Sequence, residues 1–201
     1  SGCGAVSPPP TIPRPKTAAE WGTMVIVARY QPYTDDDARI AEAQLGRPMR
    51  GVAGVAWRCP CGHPGVLATR PRLPGGTPFP TTYYLTCPRA VAAVSRLEAS
   101  GIMAEMTQRL ADDPQLAEHY RQAHDAYLAD RAALAVETGD TVPEIASFSA
   151  GGMPTRVKCL HALVGHALAA GAGVNPFGDE ALKLIGEFWD GPCKTEEHCD
   201  D

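Results

Sequence analysis

Prolines and glycines interrupt this chain at unusually short intervals. The sequence contains 20 glycines and 19 prolines among 201 residues, about 19% of the chain against a usual ~12%. Proline fixes a backbone angle, and glycine permits turns that other residues avoid. We therefore expect many fixed turns, placed where a functional site is shaped.

The overall composition is that of a globular protein. Hydrophobic residues make up 44% and charged residues 20%, so the chain can form one real core without cross-links. The formal net charge of −5 argues against a general nucleic-acid coat, which needs a basic face. We find no apolar run of the ~18 residues that a membrane span requires.

The seven cysteines are an odd number in a chain that does not need disulfides to be stable. We interpret them as thiols or metal ligands in a reducing, cytoplasmic compartment. The predicted domain organisation is a proline-rich leader over residues 1–19, one globular domain over residues 20–190 and a polar tail over residues 191–201.

The hydrophobic pattern predicts an α+β fold that is mostly helical. A small antiparallel sheet over about residues 51–86 packs against a body of five to six helices. Thr23–Ala28 is a further strand candidate. The predicted strands are 52–57, 65–69 and 81–86, and the predicted helices are 35–45, 88–100, 102–110, 114–136, 155–170 and 176–189. The 17-residue segment 138–154 is long for a connecting loop.

Three cysteines that are far apart in sequence lie at predicted turns or helix starts. Cys59 follows Arg58, Cys87 precedes Pro88, and Cys159 follows Lys158. Helix N-termini and nearby cations favour the thiolate, which is the form that binds metals and attacks electrophiles.

These single, scattered cysteines favour a [4Fe–4S] cluster with three protein ligands, Cys59, Cys87 and Cys159, and one open iron. A zinc site that adds Cys61 is the alternative, although zinc usually prefers two short cysteine pairs. The third interpretation is that the cysteines are simply buried apolar groups in a metal-free scaffold. Cys193, next to Gly191 and Pro192, could reach back to such a site.

Basic and glycine-rich segments predict a pocket for an anionic small molecule above the metal. The glycine loop before Cys159 leads into a basic helix start, which is typical of anion sites. The candidate anion-binding residues are Arg58, Arg72, Thr77, Gly151, Gly152, Arg156, Lys158 and Asn175. Asn175 could instead cap the last helix.

Two histidines follow Cys159. On a continuous helix, His161 lies about 200° around the axis from Cys159, so we expect it to point away and to be a hydrogen-bonded core residue. His166 lies on the same face as Cys159 but about 10 Å further along the axis. It is therefore a candidate proton donor rather than a ligand of the same ion.

Several longer motifs resemble a bacterial family, the domain of unknown function 501, over roughly residues 45–193. The motifs on which this resemblance rests are Arg58–Gly62, Pro71–Leu73, Gly76–Thr81, Tyr84–Pro88, Arg96–Glu98, Ala123–His124, Ser149–Pro154, Arg156–His161 and Gly173–Pro176. Where the family usually has an acidic residue after Arg-Leu, this chain has Pro74 and Gly75. The resemblance implies a cytoplasmic bacterial protein and supplies no activity.

The leading functional hypothesis is therefore an iron–sulfur protein that acts on an anionic small molecule or nucleotide, with sulfur transfer or removal as its chemistry. By analogy, the arrangement looks like the three-cysteine layout of thiouracil desulfidases. The alternatives are a zinc-stabilised binding module and a metal-free scaffold that binds a protein partner. A thiol hydrolase that uses Cys159 with His166 is the fourth hypothesis.

Overall fold

The computed structural model describes residues 30–191 and residue 193. The predicted leader, the strand candidate Thr23–Ala28 and most of the tail lie outside these residues. Within them, six α-helices and one three-stranded antiparallel sheet confirm the mostly helical α+β class. No helix in this part of the chain has the length and apolar character needed to cross a bilayer.

The helices and strands alternate little along the chain, because the sheet is completed before most of the helices begin. The elements are α1 (Asp35–Leu45), β1 (Val52–Arg58), β2 (Pro64–Thr69), β3 (Tyr83–Leu85), α2 (Pro88–Ala99), α3 (Ile102–Asp112), α4 (Pro114–Thr138), a 3-10 helix (Pro143–Ile145), α5 (Leu160–Ala170) and α6 (Pro176–Ile185).

The sheet forms the middle layer of the molecule. β2 is its central strand and pairs antiparallel with β1 and β3. Successive side chains of a strand point to opposite faces. Val66 accordingly joins the main core with α2, α4, α5 and α6, whereas Leu67 packs with Val55 of β1 and Ala41 of α1. Helix α1 therefore covers one face and the helical body covers the other.

Helix α1 has both of the end signals that its sequence predicts. The Thr34 hydroxyl accepts a hydrogen bond from the Asp37 amide, and the Asp37 carboxylate accepts from the Thr34 amide, which completes a capping box. The helix stops at Gly46, whose φ of 69° lies in the left-handed region. The predicted bounds of α1 are confirmed.

Two of the predicted helix bounds are wrong. The helix predicted to begin at Thr155 begins at Leu160, with Cys159 as its N-cap. The preceding segment forms a turn, because the Val157 amide donates to the Thr107 hydroxyl and the Lys158 amide donates to the Gly151 carbonyl. The last helix ends at Ile185 rather than near residue 189, because Gly186 follows with a φ of 63°.

The long segment after α4 is held in place by a buried arginine. The Arg131 guanidinium donates to the Ile145 carbonyl at 2.9 Å, and it also contacts the carbonyls of Phe148 and Pro80. The segment therefore packs against α4 and the loop before β3, and it leads the chain into the turn before Cys159.

Candidate functional site

A tight turn between β1 and β2 carries Cys59 and Cys61. The Cys59 amide donates to the His63 carbonyl at 3.0 Å, and the Gly62 amide donates to the Cys59 carbonyl at 2.8 Å. The Arg58 guanidinium donates to the Gly62 carbonyl at 2.9 Å. These bonds fix the turn and present both thiols on it.

The chain after α6 returns to this turn and brings Cys193 to it. The Sγ atoms of Cys59 and Cys193 are 3.7 Å apart. The Cys193 amide donates to the Cys61 sulfur at 3.0 Å. Phe188 packs on Trp57 of β1 with ring centroids 6.3 Å apart, which anchors the returning segment.

Cys87 is the fourth thiol near this turn. It is the residue before α2, and its amide donates to the carbonyl of Gly65, one residue into β2. A Cβ atom at Gly65 would lie 3.5 Å from the Cys87 Cβ and 2.4 Å from the Trp57 ring. Only glycine permits this close approach. We refer to Cys59, Cys61, Cys87 and Cys193 as the four-cysteine group.

The thiols of the four-cysteine group influence one another. Burial raises the pKa of Cys59 and of Cys87, and the charge of Cys193 adds to the rise at Cys87. Burial and the neighbouring sulfurs raise the pKa of Cys193 to about 12. Burial also acts to raise the pKa of Cys61, but hydrogen bonds from Cys193 outweigh it and the pKa is lowered. A cation is what would stabilise several thiolates so close together.

His63 lies at the edge of this group. One ligand atom each of Cys59, His63 and Cys193 lie within 4.8 Å of one another, a spacing at which they could share a metal ion. The coarse prediction of a cysteine-based metal site is thus supported by the geometry.

Cys159 lies in a different place, with Glu98 and His161. One ligand atom of each of these three side chains lies within 4.8 Å of the others. We refer to them as the Cys159 group. Glu98 is eleven residues after Cys87, about 16 Å along α2. The structure therefore divides the three predicted cluster ligands: Cys59 and Cys87 lie at one end of α2, and Cys159 joins a carboxylate and an imidazole near the other.

The expectation that His161 points away from Cys159 is wrong, because it assumed a helix through both residues. Cys159 is the N-cap, with extended backbone angles of φ −154° and ψ 108°. Its side chain is therefore not on the helical wheel that predicted the 200° separation. His161 Nδ1 is 3.1 Å from Glu98 Oε1, and the Leu160 amide donates to the same oxygen at 2.6 Å.

The candidate proton donor His166 is a core residue. It is fully buried, and its Nδ1 is 3.1 Å from the Asn175 side-chain nitrogen. Its ring stacks on Tyr83 and meets Tyr127 edge-on, with centroids 5.8 Å and 5.0 Å away. Asn175 also caps α6 by accepting from the Gly178 amide. These two residues fasten α5 to α6 and to the sheet.

The predicted anion-binding residues lie in several places rather than around one pocket. Arg58 forms a two-point ion pair with the Asp37 carboxylate, at 2.6 Å and 2.9 Å. Arg72 pairs with Glu144 at 2.9 Å. The Thr77 carbonyl accepts from the Leu73 amide within a turn. The charges of both arginines are thus balanced by carboxylates.

The remaining predicted anion-binding residues lie beside Cys159. Gly151 has a φ of 67°, and a Cβ there would lie 2.6 Å from Leu163. Gly152 has a φ of 94°, and its carbonyl accepts from the Arg156 amide. The turn exposes the side chains of Arg156 and Lys158 just before Cys159. The cations near Cys159 are therefore placed by this glycine turn.

Sequence reasoning missed Glu98 and His63. Glu98 is in one of the motifs that carry the family resemblance, but its partner Cys159 is 61 positions away and no helical spacing links them. His63 was visible only as a neighbour of the Cys59–Cys61 pair. Cys193 was noted as a residue able to reach back, and it does so.

Fold and site together define a class: a small α+β protein with two separate thiol groups, one rich in sulfur and one containing an imidazole and a carboxylate. The chain belongs to the family described as "Protein of unknown function (DUF501)", which it matches over residues 55–183, more than half of its length. No curated protein and no solved structure matches the chain.

Proposed function

We propose that the protein binds one zinc ion through the four-cysteine group, and that this ion is a structural centre of a binding module. The donor set would be four thiolates, which zinc accepts in closed tetrahedral sites. The proposal is supported by the return of the chain after α6 to the β1–β2 turn and by the start of α2 beside Gly65 of β2, next to that turn.

The observation that carries the proposal is the 3.7 Å separation between the Sγ atoms of Cys59 and Cys193. In a tetrahedral zinc site the Zn–S bonds are about 2.3 Å long, so two sulfurs on one ion lie about 3.8 Å apart. Cysteine sulfurs that bind different irons of a [4Fe–4S] cluster are separated by roughly 6–7 Å. The observed spacing fits a single ion better than a cluster.

The competing candidate is the three-cysteine [4Fe–4S] cluster with an open iron. Its support is the presence of Cys-Pro dipeptides at Cys59 and Cys87, which occur in some cluster ligand sets. It requires Cys159 as the third ligand, and Cys159 lies with Glu98 and His161. A cluster here would have to draw on Cys61 or Cys193 instead.

The role of the ion in this proposal is to hold the chain after α6 against the sheet. That segment follows the glycine at the end of α6 and contacts the hairpin through Phe188 on Trp57 and through Trp189 at Cys61. Asp190 also pairs with Arg89 of α2. A structural ion contributes its binding free energy to folding, because the site exists only in the folded chain. The ion therefore stabilises a scaffold and takes part in no reaction.

The test is metal analysis of the full chain purified without oxygen. We expect one zinc per chain, with no iron and no acid-labile sulfide. Cys59→Ser, Cys61→Ser, Cys87→Ser and Cys193→Ser should each lose the zinc. Cys159→Ser is the matched control, because it removes a thiol outside the group and should retain the zinc.

Three outcomes would contradict the proposal. Iron with an equal amount of labile sulfide after anaerobic reconstitution would establish a cluster. A chain that binds no metal would favour the metal-free scaffold. Loss of zinc in His63→Gln with retention in Cys87→Ser would overturn the four-cysteine donor set, because His63 would then be the fourth ligand.

A further inference from the structure

The Cys159 group has a geometry suited to a reactive thiolate rather than to a metal ligand. Cys159 is partly buried and caps the N-terminus of α5, an 11-residue helix. The positive end of a helix dipole favours a negative charge on such a sulfur. A second, independent observation is the imidazole of His161 within 4.8 Å of it.

Both ring nitrogens of His161 face oxygen acceptors. Nδ1 is 3.1 Å from a carboxylate oxygen of Glu98, and Nε2 is 3.3 Å from the carbonyl oxygen of Val91. A carbonyl and a carboxylate only accept hydrogen bonds, and the Ser95 hydroxyl, 3.1 Å from Nε2, can accept one as well, so these contacts suit a ring with hydrogen on both nitrogens, an imidazolium. The hydrogen bond with Cys159, despite burial and with help from Glu98, raises the pKa of His161 to about 9.

An imidazolium has no lone pair for a metal ion, because both of its nitrogens are protonated. It does have a full positive charge next to the Cys159 sulfur. The pairing of a cysteine with a protonated histidine is a standard way to keep a thiol ionised at neutral pH. The Cys159 sulfur therefore lies beside a cationic ring rather than beside a nitrogen that could share a metal ion with it.

The charged side chains near Cys159 also favour substrates of one charge. Arg156 and Lys158 are exposed on the turn that immediately precedes Cys159. Two exposed cations within three residues of a nucleophile raise the local concentration of anionic reactants and lower that of cationic ones. A substrate with negative charge is thus favoured over its neutral or cationic analogue.

We propose that Cys159 is the nucleophile of a thiol–disulfide exchange site for anionic low-molecular-weight disulfides. The Cys159 thiolate attacks one sulfur of the disulfide, the substrate S–S bond breaks, and a mixed disulfide with Cys159 forms. The other half of the substrate leaves as a thiolate and takes a proton from water. The disulfide is reduced on one side and Cys159 is oxidised, so no further oxidant is required.

The hydrogen bonds of His161 favour exchange over acyl transfer. Acyl transfer and hydrolysis need a histidine that delivers and removes protons at the substrate. The His161 ring is held by Glu98, by the Val91 carbonyl and by its hydrogen bond with Cys159, so its N–H groups are engaged within the protein and the ring acts as a fixed charge. Disulfide exchange needs only an attacking thiolate and a stable leaving thiolate. In this proposal Cys159 is the attacking group and the substrate provides the leaving group. His161 and Glu98 are accordingly positioning residues.

The test uses two disulfides of opposite charge, oxidised glutathione (anionic) and cystamine (cationic). The full chain, purified without oxygen and without added or removed metal, is reacted at pH 7, and mixed disulfides are located by peptide mass spectrometry. A free thiol is only a few per cent ionised at this pH, so we expect Cys159 to react with oxidised glutathione roughly tenfold faster than a free cysteine peptide. It should also prefer oxidised glutathione to cystamine.

The variants separate charge from structure. His161→Gln and Glu98→Gln should each slow the reaction about fivefold or more, whereas His119→Gln, a matched change at a half-buried histidine on α4, should leave it unchanged. Lys158→Ala should reduce the preference for oxidised glutathione about two- to threefold. Thermal unfolding of each variant shows whether it is folded. If His161→Gln does not fold, the rate measured for a folded Glu98→Gln is enough to test the proposal.

The reactivity of Cys159 does not require the proposed zinc centre, so different results would contradict the two proposals. A Cys159 that reacts no faster than the free peptide, or His161→Gln and Glu98→Gln variants that both react normally, would overturn it. So would a second zinc ion per chain that is lost in Cys159→Ser, because the group would then be a metal site. Loss of zinc from the four-cysteine group variants tests only the proposed function.

Discussion

The two thiol groups differ in what surrounds the sulfur. The four-cysteine group lies at the start of α2, and the Cys159 group lies along the side of the same helix from Val91 to Glu98. In the four-cysteine group, Cys59, Cys61 and Cys193 are hydrogen-bonded to one another and the charge of Cys193 acts on Cys87. Three of the four pKa values are raised. In the Cys159 group, the nearest neighbours are an imidazolium and a carboxylate. Arg58 and Arg89 act on sulfurs of the first group, but three of its four pKa values are still raised, whereas the second group has an imidazolium against its sulfur.

This contrast shows why a cysteine cannot be assigned a role from its residue type or from one flanking residue. Several thiolates at one point repel each other, so they require a cation from outside the protein. A single thiolate beside an imidazolium already has its cation, and it remains available to a substrate. The chain thus separates a structural use of sulfur from a reactive one.

The largest effect should come from removing metal from the four-cysteine group. A ligand present at a thousandfold excess over its dissociation constant stabilises the folded state by about 4 kcal/mol. We expect a chelator to lower the free energy of unfolding of the native chain by about this amount. Cys59→Ser should show the loss without chelator and no further change with it.

The Cys159→Ser variant provides the contrast in the same measurement. It should unfold like the native chain and should respond to chelator to the same extent, because its thiol is outside the metal site. Denaturant unfolding with and without chelator checks both variants. An equal response of Cys59→Ser and the native chain would remove the distinction between the two groups.

A second effect should come from adding one methyl group beneath either thiol group. In Gly65→Ala the new Cβ would lie 2.4 Å from the Trp57 ring, and in Gly151→Ala it would lie 2.6 Å from Leu163. Overpacking of this kind, where the neighbours must move, typically lowers the free energy of unfolding by about 1–3 kcal/mol. Gly151→Ala also suffers from its φ of 67°.

The two glycine variants should have opposite functional consequences. Gly65→Ala should weaken zinc binding and leave the reactivity of Cys159 unchanged, and Gly151→Ala should do the reverse. Zinc titration and the rate of reaction with oxidised glutathione give the two readouts. Coupled losses in both variants would mean that the groups form one site.

Asp37 should have a smaller effect that depends on pH. The hydrogen bonds from Arg58 outweigh burial and lower the pKa of Asp37 from its ordinary 3.8 to about 2. The carboxylate is therefore more stabilised in the folded chain, and this stability is present above about pH 4 and is lost as the pH falls towards 2. Asp37→Asn should lower the free energy of unfolding at pH 7 by about 2 kcal/mol.

The same variant tests whether the ion pair supports the metal turn, because Arg58 also binds the Gly62 carbonyl. Denaturant unfolding between pH 2 and pH 7 should show a nearly constant difference above pH 4 that shrinks below it. Zinc affinity should fall moderately and Cys159 reactivity should not change. A difference between variant and native chain that does not vary with pH would show that the carboxylate charge is not the source of the stability.

The sheet and most helices are predictable from the sequence because their signals are local. Thr34, three aspartates and Gly46 define α1, and short apolar runs on either side of the turn at Cys59–His63 define β1 and β2. The start of α5 is not predictable in this way. Thr155 looks like a capping residue, but the amide of Val157 donates to Thr107, 50 positions earlier in the sequence.

The two thiol groups show the same limit. Arg58, Cys59 and Cys61 are adjacent in sequence, so a site at this turn is visible. Cys159 is separated from Cys59 and Cys87 because it contacts Glu98 of α2. The spacing of the cysteines along the sequence does not reveal this tertiary contact. A helix that begins at Thr155 places His161 on the opposite side from Cys159. Because α5 begins five residues later, at Leu160, the two side chains are neighbours.

The smallest effect is expected for Ser95→Ala in the Cys159 group. The Ser95 hydroxyl lies 3.1 Å from His161 Nε2, but the Val91 carbonyl faces the same nitrogen at 3.3 Å. Ser95 is exposed, so water can replace its hydroxyl, and the free energy of unfolding should change by less than about 0.5 kcal/mol. The reaction of Cys159 with oxidised glutathione should stay within about twofold of the native rate, since Glu98 and the carbonyl still hold the imidazolium.

A loss as large as that of Glu98→Gln would show that the hydroxyl, rather than the carboxylate and the backbone, orients the ring, and that Nε2 is not protonated. The His161 ring would then be neutral, and the difference in charge between the two thiol groups would disappear.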